Sequence, residues 1–173
     1  YGQDIRDGLG LLFVEKEGFR EFRYRYWLAM QKLMLENFAK QVYDWCCENG
    51  TQLTGHYVEE VSMGAQLMCC AGAMPFYEFE HIPGIDWLGR SVETIEEMSP
   101  RQLSSASQQL GKKHTLTETF ACCGWDVTPS DLRRLAGFQY ANGVNLMCHH
   151  LLPYSEKGQR KRDYPAHFNP INP

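Results

Sequence analysis

Carboxylates and imidazoles recur in this chain where runs of β-forming residues stop. The run His114-Thr115-Leu116-Thr117-Glu118-Thr119-Phe120 ends on a carboxylate and opens into Ala121-Cys122-Cys123-Gly124-Trp125. Thr51 to Val58 carries His56 and is closed by Glu59-Glu60, a short strand around Ile85 is followed by Asp86-Trp87, and a last apolar run reaches His149-His150 with Tyr154 beyond. In a barrel of parallel strands joined by helices, reacting groups sit where strands end and loops begin, so these positions form one candidate rim. Glycoside hydrolysis uses such a mixture: one carboxylic acid protonates the leaving oxygen, a second carboxylate is base or nucleophile, and aromatic faces suit sugar rings. Glu118 is the expected first member of the pair and Glu59 or Glu60 the second. His56, Asp86, Trp87, Trp125, His149, His150 and Tyr154 are the expected substrate contacts. Two other chemistries use the same residues: a carbohydrate-binding module that has lost catalysis, and a metal-dependent hydrolase built on His56, His149 and a carboxylate. Each residue also has a purely structural role open to it, Glu118 and Asp86 as caps or ion-pair partners and the two histidines as imidazoles bonded to nearby backbone.

The elements that must position these groups alternate along the chain. Helical spacing of Tyr26, Leu33, Phe38, Val42 and Trp45 predicts a helix over about Phe19 to Glu48, ended by Asn49-Gly50, with Phe19, Phe22 and Tyr26 as its packing stripe. Thr51 to Val58 reads as a strand, and Ser62 to Phe79 as a helix that Pro75 interrupts or restarts. The strand around Ile85 follows, then a helix over Arg101 to Leu110 entered through Ser99-Pro100 and closed by Gly111. The central strand leads to a helix over Thr128 to Ala141, and a final strand over Gly143 to Leu152 is apolar enough to be buried on both faces. That order predicts a parallel α/β fold of the partial (β/α)8 TIM-barrel kind, about four β/α units. A doubly wound sheet is the alternative, although no Gly-rich phosphate loop follows a strand.

Composition narrows the class. With 173 residues, 43% apolar and 13% aromatic, the chain can bury one sizeable core, and a formal charge of -4 argues against a nucleic-acid or membrane-surface partner. The seven cysteines, three neighbouring pairs plus Cys148, fit neither a disulfide framework nor a zinc spacing. They read as reduced, mostly buried thiols, which favours the cytoplasm unless an export signal lies upstream. Residues 1–173 read as a single segment of a catalytic domain truncated at both ends, one that self-associates through open sheet edges.

Several stretches together resemble a known family. They are Thr54-Gly55-His56, His81-Ile82-Pro83-Gly84-Ile85-Asp86-Trp87-Leu88-Gly89-Arg90, Thr117-Glu118-Thr119-Phe120 with Gly124-Trp125-Asp126-Val127-Thr128-Pro129, Gly143-Val144-Asn145, and Arg160-Lys161-Arg162-Asp163-Tyr164-Pro165. They look like bacterial glycosyl hydrolases related to the α-L-rhamnosidases of glycoside hydrolase family 106. The resemblance implies a (β/α)8 catalytic barrel in a multidomain enzyme that breaks down oligo- or polysaccharides, with an inverting mechanism. No cofactor is expected beyond the calcium ion that the rhamnosidases hold near the sugar. By the same resemblance Glu118 matches the Ser/Thr-Glu motif after a strand, and Glu59 and Glu60 lie where similar chains carry a carboxylate shortly after Gly-His.

Overall fold

The structure, a computed structural model, describes residues 2, 4–92, 98–151, 155, 157 and 158. Its elements begin and end where local chemistry says they should. Helix α1 (Phe19–Met34) runs through a π-helical turn (Leu35–Ala39) into α2 (Lys40–Glu48), and Gly50 follows in the left-handed region. Helix α3 (Met63–Cys70) starts where the Ser62 side chain accepts the Ala65 amide. A 3-10 segment (Met74–Phe79) then restarts the coil with Pro75 in its first turn, where the missing amide costs nothing. Strand β1 (Gly84–Trp87), helix α4 (Ser99–Gln109), strand β2 (Leu116–Thr119), helix α5 (Pro129–Ala141) and strand β3 (Leu146–His149) complete the order. Thr128 and Asp131 form a reciprocal capping box at the start of α5.

The three strands form one parallel sheet in the order β1-β2-β3, with Asp86 opposite Glu118 and Glu118 opposite Cys148. Each crossover is a helix, so the chain is an α/β protein. Side chains alternate across a strand, and the two faces differ sharply. Ile85, Trp87, Thr117 and Thr119 are buried on the covered face, where Leu103 and Ala106 of α4 and Phe138 of α5 pack. Gln139 of α5 bonds that face at two points: its Oε1 accepts the Thr117 hydroxyl at 2.6 Å and its Nε2 donates to Thr119 Oγ1 at 2.9 Å. The opposite face presents Asp86 and Glu118 to solvent.

Four expectations are corrected here. Thr51 to Val58 is not a full strand: it meets the sheet through a single parallel bridge, Thr54 to Ile82. The physical reason is that the outer amides of β1 are taken by buried carboxylates instead of by backbone carbonyls, as described below. Among the described residues strand β3 is an exposed edge rather than a strand buried on both faces, with Leu146 38% exposed. Trp87 falls on the covered face, 4% exposed against Phe138, because it is one residue out of step with Asp86. The cysteines are free thiols, yet only Cys46, Cys70 and Cys123 are buried; each neighbouring pair has one member in and one out.

Gly84 is where the 54–58 segment crosses closest to the sheet, since a Cβ there would stand 2.3 Å from the Gly55 carbonyl oxygen. Gly84→Ala is therefore expected to destabilise the fold by about 1–3 kcal/mol in urea unfolding, as overpacking against backbone does. A variant as stable as the parent would mean that the segment can slide off β1 freely.

Candidate functional site

The site is built from Asp86 outward. Asp86 and Glu118 are register partners on neighbouring parallel strands, so both carboxylates leave the same face of the sheet. His56, carried by the bridged segment before β1, places Nε2 3.6 Å from Glu118 Oε2 and 3.9 Å from Asp86 Oδ2. One donor atom from each of His56, Asp86 and Glu118 lies within 4.8 Å of the others. On the far side His150 Nε2 stands 3.7 Å from Glu118 Oε1, and the His150 amide donates to the Thr119 carbonyl. The cluster opens to solvent: His56 is exposed, and the side chains of Asp86 and Glu118 are about a quarter exposed. Asp86 holds its proton above the usual carboxylate range, first because of burial and then because of the Glu118 charge, with His56 and His150 opposing.

Behind Asp86 lies a second, buried layer. Glu60 is 3% exposed; its Oε2 accepts the Asp86 amide at 3.1 Å and its Oε1 accepts the Tyr77 hydroxyl at 2.9 Å. Its own carbonyl accepts from Gln66 of α3 at 2.8 Å and from Ser99 of α4 at 2.9 Å, so the residue is gripped at both ends. Glu80, 2% exposed, accepts the Gly84 amide at 3.0 Å. Burial pushes Glu60 up to about 7 and Glu80 up to about 8, against hydrogen bonds that favour the charged forms. Burial also raises Tyr57 and Tyr77.

The loops after β1 and β2 are tied together. Arg90 donates to the Cys123 carbonyl and pairs with Asp126, while Arg134 of α5 donates to the Arg90 carbonyl at 2.8 Å. Gly124 stands in the left-handed region beside Arg90, where an added Cβ would meet the guanidinium. Trp125, 51% exposed, rides on this tied loop.

The structure thus brings His56, Asp86, Glu118 and His150 together. No family model, no curated protein and no solved structure matches this chain. Function is therefore argued from the site alone. Of the expected residues, Glu60 adjoins the cluster through the Asp86 amide, whereas Glu59 is exposed in a left-handed turn with φ of 62°. His149 is exposed and rests its ring on Phe120 at 4.8 Å, Trp125 lies on the loop rim, Trp87 faces the core, and Tyr154 lies outside the described residues. Sequence reasoning missed Glu80, Tyr57 and Tyr77. The available signal was a carboxylate and tyrosines inside an otherwise apolar stretch, which in a folded core demand partners.

The raised carboxylates make stability depend on pH. Native Glu60 and Glu80 bind protons more tightly than the unfolded chain, whose carboxyls titrate near 4.5. Their contribution is full below that pH and is lost as pH rises through about 7 and about 8. The parent should lose on the order of 3 kcal/mol at Glu60 between pH 4.5 and pH 8. In chemical unfolding at several pH values, Glu60→Gln should flatten that slope, and an unchanged slope would show that Glu60 is ionised in the native state throughout.

Proposed function

We propose that this chain supplies the reacting face of a glycoside hydrolase, with Glu118 and Asp86 as the carboxylate pair. The observation that carries the reading is their placement as register partners on adjacent parallel strands, open to solvent, with His56 against both. A carboxyl group whose proton affinity is raised by burial is suited to act as the acid, and Asp86 is such a group. Asp86 then donates its proton to the leaving oxygen while Glu118 attacks the anomeric carbon, forming a glycosyl ester. In the second half, Asp86 takes a proton from water, which opens the ester and frees Glu118. Oxygens within 4.8 Å of each other fit the retaining spacing of about 5–5.5 Å better than the inverting spacing of about 6.5–9.5 Å. This departs from the inverting outcome that the resemblance implies. Trp125 on the rim, with His149 and His150, offers surfaces for the sugar.

The sheet itself supports a place in a (β/α)8 barrel. Its strands are parallel, consecutive in order and joined by helices on one face, while the face carrying Asp86 and Glu118 is the one a barrel would turn inward. Exposed Leu33, Phe38, Trp45 and Met68 give apolar surface for further packing.

A second reading is a metal-dependent hydrolase in which His56, Asp86 and Glu118 hold a divalent ion. It is favoured by one detail: Asp86 Oδ1 is buried and has no hydrogen-bond partner among the described residues. Calcium fits this cluster poorly, because it takes about six to eight oxygen ligands and here an imidazole stands among only two carboxylates. Zinc or manganese fits the mixed donor set better.

Four measurements test these readings. On a panel of aryl glycosides, Glu118→Gln should lower turnover on the order of a hundredfold with the melting temperature little changed. NMR of the first-formed product should show the anomer of the substrate, and the opposite anomer would rule out Glu118 as nucleophile. Stoichiometric zinc or manganese in purified protein, with activity lost on chelation, would replace the first reading by the second. Concentration-dependent association in sedimentation is expected from the exposed strand edge and apolar helix faces, and a strict monomer at all concentrations would count against the barrel placement.

A further inference from the structure

We propose that Cys47 is a modification site, a thiol set up by His81 to exchange with small-molecule disulfides. The pair sits just ahead of β1, whereas Asp86 lies toward the other end of that strand, and the proposal does not rest on the glycosidase reading. Cys47 of α2 is exposed, and its Sγ stands 3.4 Å from His81 Nε2. The other ring nitrogen is already engaged: His81 Nδ1 accepts the Leu53 amide at 2.9 Å. A neutral imidazole that accepts through Nδ1 carries its proton on Nε2, so the N–H is aimed at the sulfur. The ring is fixed from two further sides. Tyr43 stacks on it with centroids 4.5 Å apart and planes 23° from parallel, and the His81 amide donates back to the Leu53 carbonyl at 2.9 Å.

This tautomer decides what the pair can do. A cysteine–histidine nucleophile of the hydrolytic kind needs an imidazole nitrogen that takes the thiol proton. Here Nε2 could accept only if the ring proton moved to Nδ1, where it would meet the Leu53 N–H. His81 is thus a donor to the sulfur and not its base, and a sulfur that accepts is the form that attacks a disulfide. In the exchange the Cys47 sulfur attacks one sulfur of the disulfide, a new S–S bond forms as the old one breaks, and the electron pair leaves on the second sulfur. The Cys47 proton passes to water and the departing thiolate takes one from water. One thiol and one disulfide therefore give one mixed disulfide and one new thiol, with no further oxidant. Exposure alone does not single out Cys47, since Cys69, Cys122 and Cys148 are exposed too. Cys148 is the reverse case: its sulfur is placed as a donor, to the His149 carbonyl at 3.9 Å.

The test is a map of glutathione adducts on the full 173-residue chain. Reduced protein is exposed to oxidised glutathione for graded times, the remaining thiols are alkylated, and each cysteine is followed by peptide mass spectrometry. In the folded parent Cys47 should take the adduct on the order of tenfold faster than Cys69, Cys122 and Cys148, and in urea that lead should vanish. His81→Asn keeps an acceptor for the Leu53 amide but has no donor that reaches the sulfur, so there Cys47 should fall to the rate of the other exposed thiols. Should His81→Asn fail to fold, the parent in buffer and in urea decides alone. Equal rates at the four exposed cysteines of the parent, a lead that survives urea, or an unchanged Cys47 rate in folded His81→Asn overturns the proposal.

Discussion

The outer edge of β1 governs everything on the open face. The amides of Gly84 and Asp86 point away from β2 and must find acceptors inside the protein, because an orphaned buried donor is costly. A neighbouring strand would offer neutral carbonyls. This chain offers the carboxylates of Glu80 and Glu60 instead. Carboxylates are expensive to bury, and their raised proton affinity is the visible sign of that expense. In return, each has two oxygens able to accept several bonds, so one side chain joins segments that a ladder bond would join only pairwise. Glu60 connects the hydroxyl of Tyr77 to the backbone at 86, directly behind the cluster of His56 with Asp86.

Strand parity accounts for the rest of the site's geometry. Adjacent parallel strands lie about 4.8 Å apart, so register partners on one face carry their side chains at about that spacing without help from loops. Asp86 and Glu118 are such partners. Their separation is thus fixed by backbone hydrogen bonds and by the Gln139 anchors beneath Thr117 and Thr119. His56 and His150 come from irregular chain on either side, and their positions depend on longer-range packing.

Much of this was legible in the sequence because its signals are local. Asn49-Gly50, Ser62, Pro75, Ser99-Pro100 and the Thr128/Asp131 pair mark element ends through caps and missing amides, and the helices begin and stop there. Glu118 and Asp86 were readable as carboxylates at strand ends. The choice between Glu59 and Glu60 was not, since it turns on a left-handed backbone at Glu59 that swings one side chain outward and the next inward. The composition of Thr51 to Val58 is that of a strand, yet pairing is decided by competitors for the edge amides, and those competitors lie 2 to 29 residues away in Glu60 and Glu80. Strand β3 shows the opposite limit: an apolar run states what a strand would prefer to bury, not whether this part of the chain supplies the cover.

The tie between the loops after β1 and β2 sets how the rim can change over evolutionary time. Arg90 reaches from one loop to the Cys123 carbonyl and Asp126 of the other, and Arg134 holds Arg90 by its carbonyl from α5. Neither loop can be lengthened, shortened or exchanged alone without stranding a guanidinium or an acceptor in the other. The segments that carry Leu88 to Ser91 and Cys122 to Val127 are in effect one inherited cassette, with Trp125 displayed at its tip, and new ligand preferences would arise by replacing the cassette whole or by altering that tip.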